Sequence, residues 1–76
     1  MMHQSDTPSL TQLERECLMY CACGFDDNRV GAKMGLGGRS VSIIIGSAMQ
    51  KLQASSRTRA VIMALKNGQL KLEDID

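Results

Sequence analysis

The chain is nearly devoid of aromatic residues: Tyr20 and Phe25 are the two it has, and tryptophan is absent. Its core must therefore be aliphatic, filled by Leu, Ile, Val, Met and Ala. Proline occurs once, at Pro8, in a polar start that reads as a flexible arm over residues 1–9. No apolar run approaches the roughly 18 residues of a membrane span. The opening "MMHQSDTPSL" lacks the basic and apolar regions of a signal peptide. These absences point to a cytoplasmic protein that does not engage membrane. With 76 residues, one domain with one small core is the natural reading.

Histidine is almost missing as well: His3, on the arm, is the one present. Cys17, Cys21 and Cys23 are an odd count without a secretion signal, which argues against a disulfide framework. A zinc site needs four ligands at a recognisable spacing, and C-x3-C-x-C with one distant histidine does not supply it. No metal or cofactor is expected. Cys17 reads as a small core residue on a helix. The carboxylates sit at helix starts and in the tail, where capping and solvation explain them. The glycines at 35, 37 and 38 lack the Lys-Ser/Thr that follows a phosphate loop. An enzyme is therefore not expected, and no small-molecule pocket is evident.

One further absence is the informative one. Between Arg29 and Leu72 there are eight basic residues and no acidic one, although the whole chain carries only +1. A segment of that charge attracts polyanions and releases counterions on meeting nucleic acid.

What is present is a succession of four helix signals and no alternating strand pattern, so the class is all-α. "LTQLERECLMYCACG" opens with a capping box from Thr11 to Glu14 and carries the stripe Leu13, Cys17, Leu18, Cys21 and Ala22. Gly24 is its expected stop, giving helix 1 about 12–23. Asp26 or Asp27 caps helix 2, about 27–34. Val30 and Met34 share a face there, and Gly31 beside them marks a close crossing by another helix. "GLGG" at 35–38 is a turn, helix 3 spans about 39–53, and helix 4 runs from a Ser55 or Ser56 cap to Asn67-Gly68. Residues 71–76 form an acidic tail, with Leu70 before them packing back. Two short helices joined by a tight glycine turn fit a helix-turn-helix.

The order and spacing resemble a known family. Leu10, Thr11, Glu14, Glu16, Leu18, Ala22 and Gly24 match its opening motif, and "VGAKMGLGGRSVSIIIGSAMQKL" follows in register. Arg57, Thr58, Ala60, Val61, Ala64 and Gly68 match its closing motif. Over residues 10–70 the chain resembles the LuxR-type DNA-binding domain, with "SAMQKL" at 47–52 like the spore-germination branch. The resemblance implies a four-helix bundle whose third helix enters the major groove, transcription regulation, and a dimer through helix 4. Most of the family carries a sensing or phosphoacceptor domain ahead of this one; with Met1 nine residues before the motif, a stand-alone module is the expectation. The chain departs from the family at Leu13, Arg29, Val30-Gly31 and Gly37. On helix 3, Ser42 replaces the usual Lys or Arg and Ile44 the usual His, removing two polar groups that normally face DNA.

At about 100° per residue, Val41, Ile45, Ala48 and Leu52 form the core stripe of helix 3. Ile44 and Met49 flank it. Ser42, Ile43, Gly46, Ser47 and Gln50 lie on the far, groove-facing side. Ile43 suits a thymine methyl, Gly46 permits close approach, and Ser47 and Gln50 can bond base edges, Gln preferring adenine. Arg39 and Ser40 at the helix start suit phosphate, and Lys33, Lys51, Arg57 and Arg59 add backbone charge. On helix 4, Arg59, Met63 and Lys66 are expected to face away from the core, with Ile62 on a flank; these four are the candidate dimer seam. The expected partners are double-stranded DNA and a second copy. The rival is a related full-length regulator, bound through the smooth face of helix 3 or through helix 4, with the chain acting as its antagonist. A DNA partner in a bacterium would place the protein at the nucleoid.

Overall fold

The structure, a computed structural model, describes residues 8–75, apart from the side chain of Asp74. His3 and most of the expected arm lie outside the described residues, as does Asp76 at the end of the tail. Four helices occupy the described chain: α1 (Gln12–Ala22), α2 (Asp27–Met34), α3 (Gly38–Leu52) and α4 (Arg57–Lys66). A single 3-10 turn, Leu72–Asp74, follows them. The described residues contain no strand, and no helix among them is long and apolar enough to cross a membrane.

Each helix begins where the local chemistry provides a cap. At α1, Thr11 Oγ1 accepts the Glu14 amide at 3.1 Å and the Glu14 carboxylate accepts the Thr11 amide at 2.8 Å, which is the expected capping box. Of the two aspartates offered to α2, Asp26 is the cap and accepts the Arg29 amide at 2.9 Å. Ser56, not Ser55, caps α4. The helix ends follow backbone handedness. Gly24, Gly35 and Gly68 take positive φ just beyond α1, α2 and α4, where a side chain would be strained.

Gly31 departs from its expected role. It is buried, but the atoms nearest to a Cβ there belong to the α2–α3 turn and not to another helix. The backbone of the α2–α3 turn comes back against it instead: a Cβ there would meet the Leu36 carbonyl oxygen at 2.3 Å. The turn is folded onto the end of its own helix, which fixes how α3 leaves α2.

The core lies where all four helices converge. Cys17 and Leu18 of α1, Val30 of α2, Val41, Ile45, Ala48 and Leu52 of α3, and Ala60 and Ala64 of α4 are buried, with Leu10 and Leu70 closing it. The α3 stripe is the expected one, and Leu70 packs back as expected. Ile75, within the segment expected as a tail, is half-buried and packs against the same cluster. Cys17 is a core residue. Burial, then the nearby Cys21, Glu16 and Asp27 charges, pushes its thiol up to about 11, so it stays protonated at neutral pH. Its Sγ faces Met34 Sδ at 3.5 Å.

Helix α4 corrects the expected orientation of its faces. Its buried residues are alanines four apart, Ala60 and Ala64. They place Ile62 on the side opposite the core, where it is 47% exposed, while Met63 is half-buried and packs against the core. The expectation had Met63 outward and Ile62 on the flank. Small side chains, not the large apolar ones, are the fully buried contacts of α4.

Candidate nucleic-acid interface

Helix α3 presents one continuous exposed stripe. Arg39, Ile43, Gly46 and Gln50 recur at i, i+4, i+7 and i+11 and are all exposed. Ile43 is 67% exposed, more than any other large apolar residue of α1 to α4. Gly46 has open space around it, and a Cβ there would touch nothing within 4 Å. Its φ is not positive either. Neither backbone strain nor packing within the chain accounts for a glycine in the middle of a helix, where it costs about 1 kcal/mol relative to alanine. Ser40 and Ser42 are exposed beside the stripe. Ile44 and Met49 are half-buried on its flanks, as expected.

The start of α3 is bare. Gly37 is its cap and makes no side-chain bond, so the positive end of the helix dipole lies beside the exposed Arg39 and Ser40 without a capping side chain. Gly38 opens the helix because Asn28 of α2 stands against it: a Cβ at 38 would meet the Asn28 side-chain oxygen at 2.4 Å.

Three residues expected to contact DNA, Ser47 on this face and Lys51 and Arg57 as backbone charge, have partners inside the protein. Ser47 is half-buried, and its hydroxyl donates to Glu14 Oε2 at 2.7 Å. Lys51 Nζ donates to Glu14 Oε1 at 2.9 Å. Arg57 forms a two-pronged pair with Asp27 of α2, Nη2 to Oδ2 at 3.0 Å and Nη1 to Oδ1. Lys33 is exposed and holds its ammonium 4.9 Å above the Phe25 ring centroid and 6.0 Å from that of Tyr20.

Glu14 does more than cap α1. It is 5% exposed. Desolvation pushes its pKa up, but bonds from Lys51, Thr11 and Ser47 outweigh that and hold it at about 2, against an ordinary 4.5. Its place among 14, 17, 18 and 21 was the available signal, since a carboxylate on an apolar stripe needs a partner. Asp27 is lowered by the hydrogen bond from Arg57, against the opposing cost of burial. Burial raises the Cys21 thiol. Among the described residues no group of three or more potential ligands is arranged to hold a metal.

The seam candidates on α4 are Arg59, Ile62 and Lys66, all exposed, and the half-buried Met63. Ile62 lines an open groove with Val61, Cys21, Phe25 and Ile75.

Comparison with known proteins agrees with this architecture. The family model described as bacterial regulatory proteins, luxR family, matches residues 8–64. The solved structure of the transcription factor GerE is similar with a TM-score of 0.79 and 27% identity, over 83% of this chain and 94% of that one. Among curated proteins, y4qH of Sinorhizobium fredii (strain NBRC 101917 / NGR234), named for an HTH-type transcriptional regulator, is 35% identical over 65 residues. That match covers 86% of this chain and 20% of the relative. The transcriptional regulatory protein DegU of Brevibacillus brevis is 29% identical over 63 residues, 83% of this chain and 27% of the relative. The chain thus spans 20% to 27% of the length of these curated relatives. It belongs to the luxR family of bacterial regulatory proteins, a family of DNA-binding transcription regulators and not of enzymes.

Proposed function

We propose that the protein binds double-stranded DNA by laying α3 in the major groove, and that it regulates transcription as a dimer joined through α4. The observation that carries this reading is the stripe Arg39, Ile43, Gly46 and Gln50. Gly46 stands in its middle with nothing in the fold to require it. A glycine there lets a helix backbone sit close to base edges. Ile43 is then set toward a thymine methyl and Gln50 toward adenine. Arg39, Ser40 and the uncapped start of α3 meet phosphate, with Lys33, Ser42 and Arg59 as further contacts. Ser47, Lys51 and Arg57 have partners within the chain, so their contribution runs through the placement of α3 and α4. Lys66 and Ile62 extend the α4 seam to a second copy.

The test is binding of duplex DNA across salt concentrations. The expected result is a steep linear loss of log affinity with log salt. Arg39→Ala should reduce the slope by about 0.9 and weaken all sequences alike. Gln50→Ala should change preference among sequences. A folded protein with no affinity for any duplex at low salt overturns the reading.

One observation favours a second reading. The middle of the α3 face, Ser42, Ile43 and Ile44, carries no charge, and Ile43 and Ile62 are both exposed apolar side chains. A protein antagonist that pairs with a related regulator would use such surfaces. It would form a heterodimer in sedimentation while showing a shallow salt dependence on DNA.

A further inference from the structure

We infer that Glu14 is a positioning residue for the DNA-facing helix, acting through Ser47 and Lys51, and that Lys51 serves this carboxylate and not a phosphate. The inference rests on the DNA-binding reading above.

The Glu14 carboxylate takes three donors from two directions. Oε1 accepts the Thr11 amide at 2.8 Å and Lys51 Nζ at 2.9 Å, and Oε2 accepts the Ser47 hydroxyl at 2.7 Å. Among the described residues no buried side-chain nitrogen or oxygen is left without a partner, so this buried charge is fully satisfied. The cap of α1 and the grip on α3 are thus the same group.

The two α3 residues are one helical turn apart. Core packing of Val41, Ile45, Ala48 and Leu52 seats α3, and the two bonds at Ser47 and Lys51 tie its flank to α1, so that together they set its rotation. The attached flank lies about a quarter-turn from the stripe of Ile43 and Gln50. With side chains reaching a radius of about 5–6 Å, a 30° slip would carry their tips by roughly 3 Å, a full hydrogen-bond length. Discrimination among base edges does not survive such a slip, whereas attraction to phosphate largely does. A lysine already paired with a carboxylate also releases no counterion from DNA, so it adds nothing to the salt dependence.

The experiment measures binding of two labelled duplexes across salt concentrations, one selected by the wild-type protein from a random pool and one of scrambled sequence. Wild type, Lys51→Gln, Glu14→Gln and the double variant are compared, with circular dichroism melts confirming that each is folded. Glutamine at 14 keeps the size and can still accept the Thr11 amide. Lys51→Gln is expected to leave the salt slope unchanged and to cut discrimination between the duplexes several-fold. Glu14→Gln is expected to steepen the slope by about 0.9, because the released Lys51 can reach a phosphate, and the double variant to return it to the wild-type value. If Glu14→Gln does not fold, the slope and discrimination of Lys51→Gln decide alone. A Lys51→Gln protein that loses about 0.9 of slope and weakens both duplexes equally overturns the positioning role. So does unchanged discrimination in the folded single variants. A wild-type protein that binds neither duplex overturns the DNA-binding reading itself, and the two failures are told apart by that control.

Discussion

The Leu36 amide donates to the Gly31 carbonyl at 2.7 Å, and a Cβ on Gly31 would stand 2.3 Å from the Leu36 carbonyl oxygen. The hinge between α2 and α3 is therefore closed by backbone on backbone. Replacing Gly31 with alanine gains up to about 1 kcal/mol of helix propensity. It also forces rigid backbone to move. The expected net result is destabilisation by roughly 1–3 kcal/mol, since overpacking costs that much in well-filled interiors. The melting temperature should fall by several degrees. A melting temperature at or above wild type would mean that the turn opens freely.

Gly46→Ala is the opposite case. Nothing lies within 4 Å of the added methyl. Stability should rise by about 0.5–1 kcal/mol in urea denaturation. On the proposed docking of α3, DNA affinity should fall, because the methyl would separate the helix backbone from the base edges. A stabilised variant with unchanged affinity would remove Gly46 from the interface.

Acid should unfold the protein through Glu14. Its pKa is about 2 when folded and about 4.5 when unfolded, so the folded value is the lower one. Its stabilisation is fully present above pH 4.5 and is lost as pH falls toward 2. Integrated over that window the loss is up to about 3 kcal/mol. Asp27, also lowered, adds to it in the same direction. Denaturation curves from pH 7 to 2 should show the decline, and Glu14→Gln should flatten most of it. Superimposable profiles for the two proteins would contradict the assignment.

The two faces of α4 can be separated by substitution. Ile62→Glu, at a position 47% exposed, should change monomer stability by less than about 0.5 kcal/mol and abolish dimer formation in sedimentation on and off DNA. Met63→Ala, at a half-buried position against the core, should cost about 1–2 kcal/mol, less than full core truncation, and leave assembly intact. The reverse pattern would place the seam on the Met63 side.

Where the signal was local, the sequence was sufficient. The capping box at Thr11, the stop beyond α2 at Gly35 and the α3 stripe of Val41, Ile45, Ala48 and Leu52 are set by hydrogen-bond partners and side chains within a few residues. They produced all four helices with ends right to within one residue, and the motif spacing carried the family. Exposure of Ile43 and Gly46 was likewise legible, because the period of one helix fixes which side is opposite its core.

What crossed between helices was decided only by the tertiary structure. Sequence reads Glu14 as a cap on an apolar stripe but does not say which partners it takes; its bonds to Ser47 and Lys51 span 33 and 37 residues. The Arg57–Asp27 pair spans 30. Both pair a cation of the acid-free segment with a carboxylate on another helix. The α4 face turned for the same reason: its packing against other helices, which no local pattern encodes, buries Ala60 and Ala64 in preference to larger neighbours. Sequence determined the helices and the outward stripe, because periodicity and capping are short-range. The fold decided which cations remain free, because a charge is committed only when another helix brings its partner within about 3 Å.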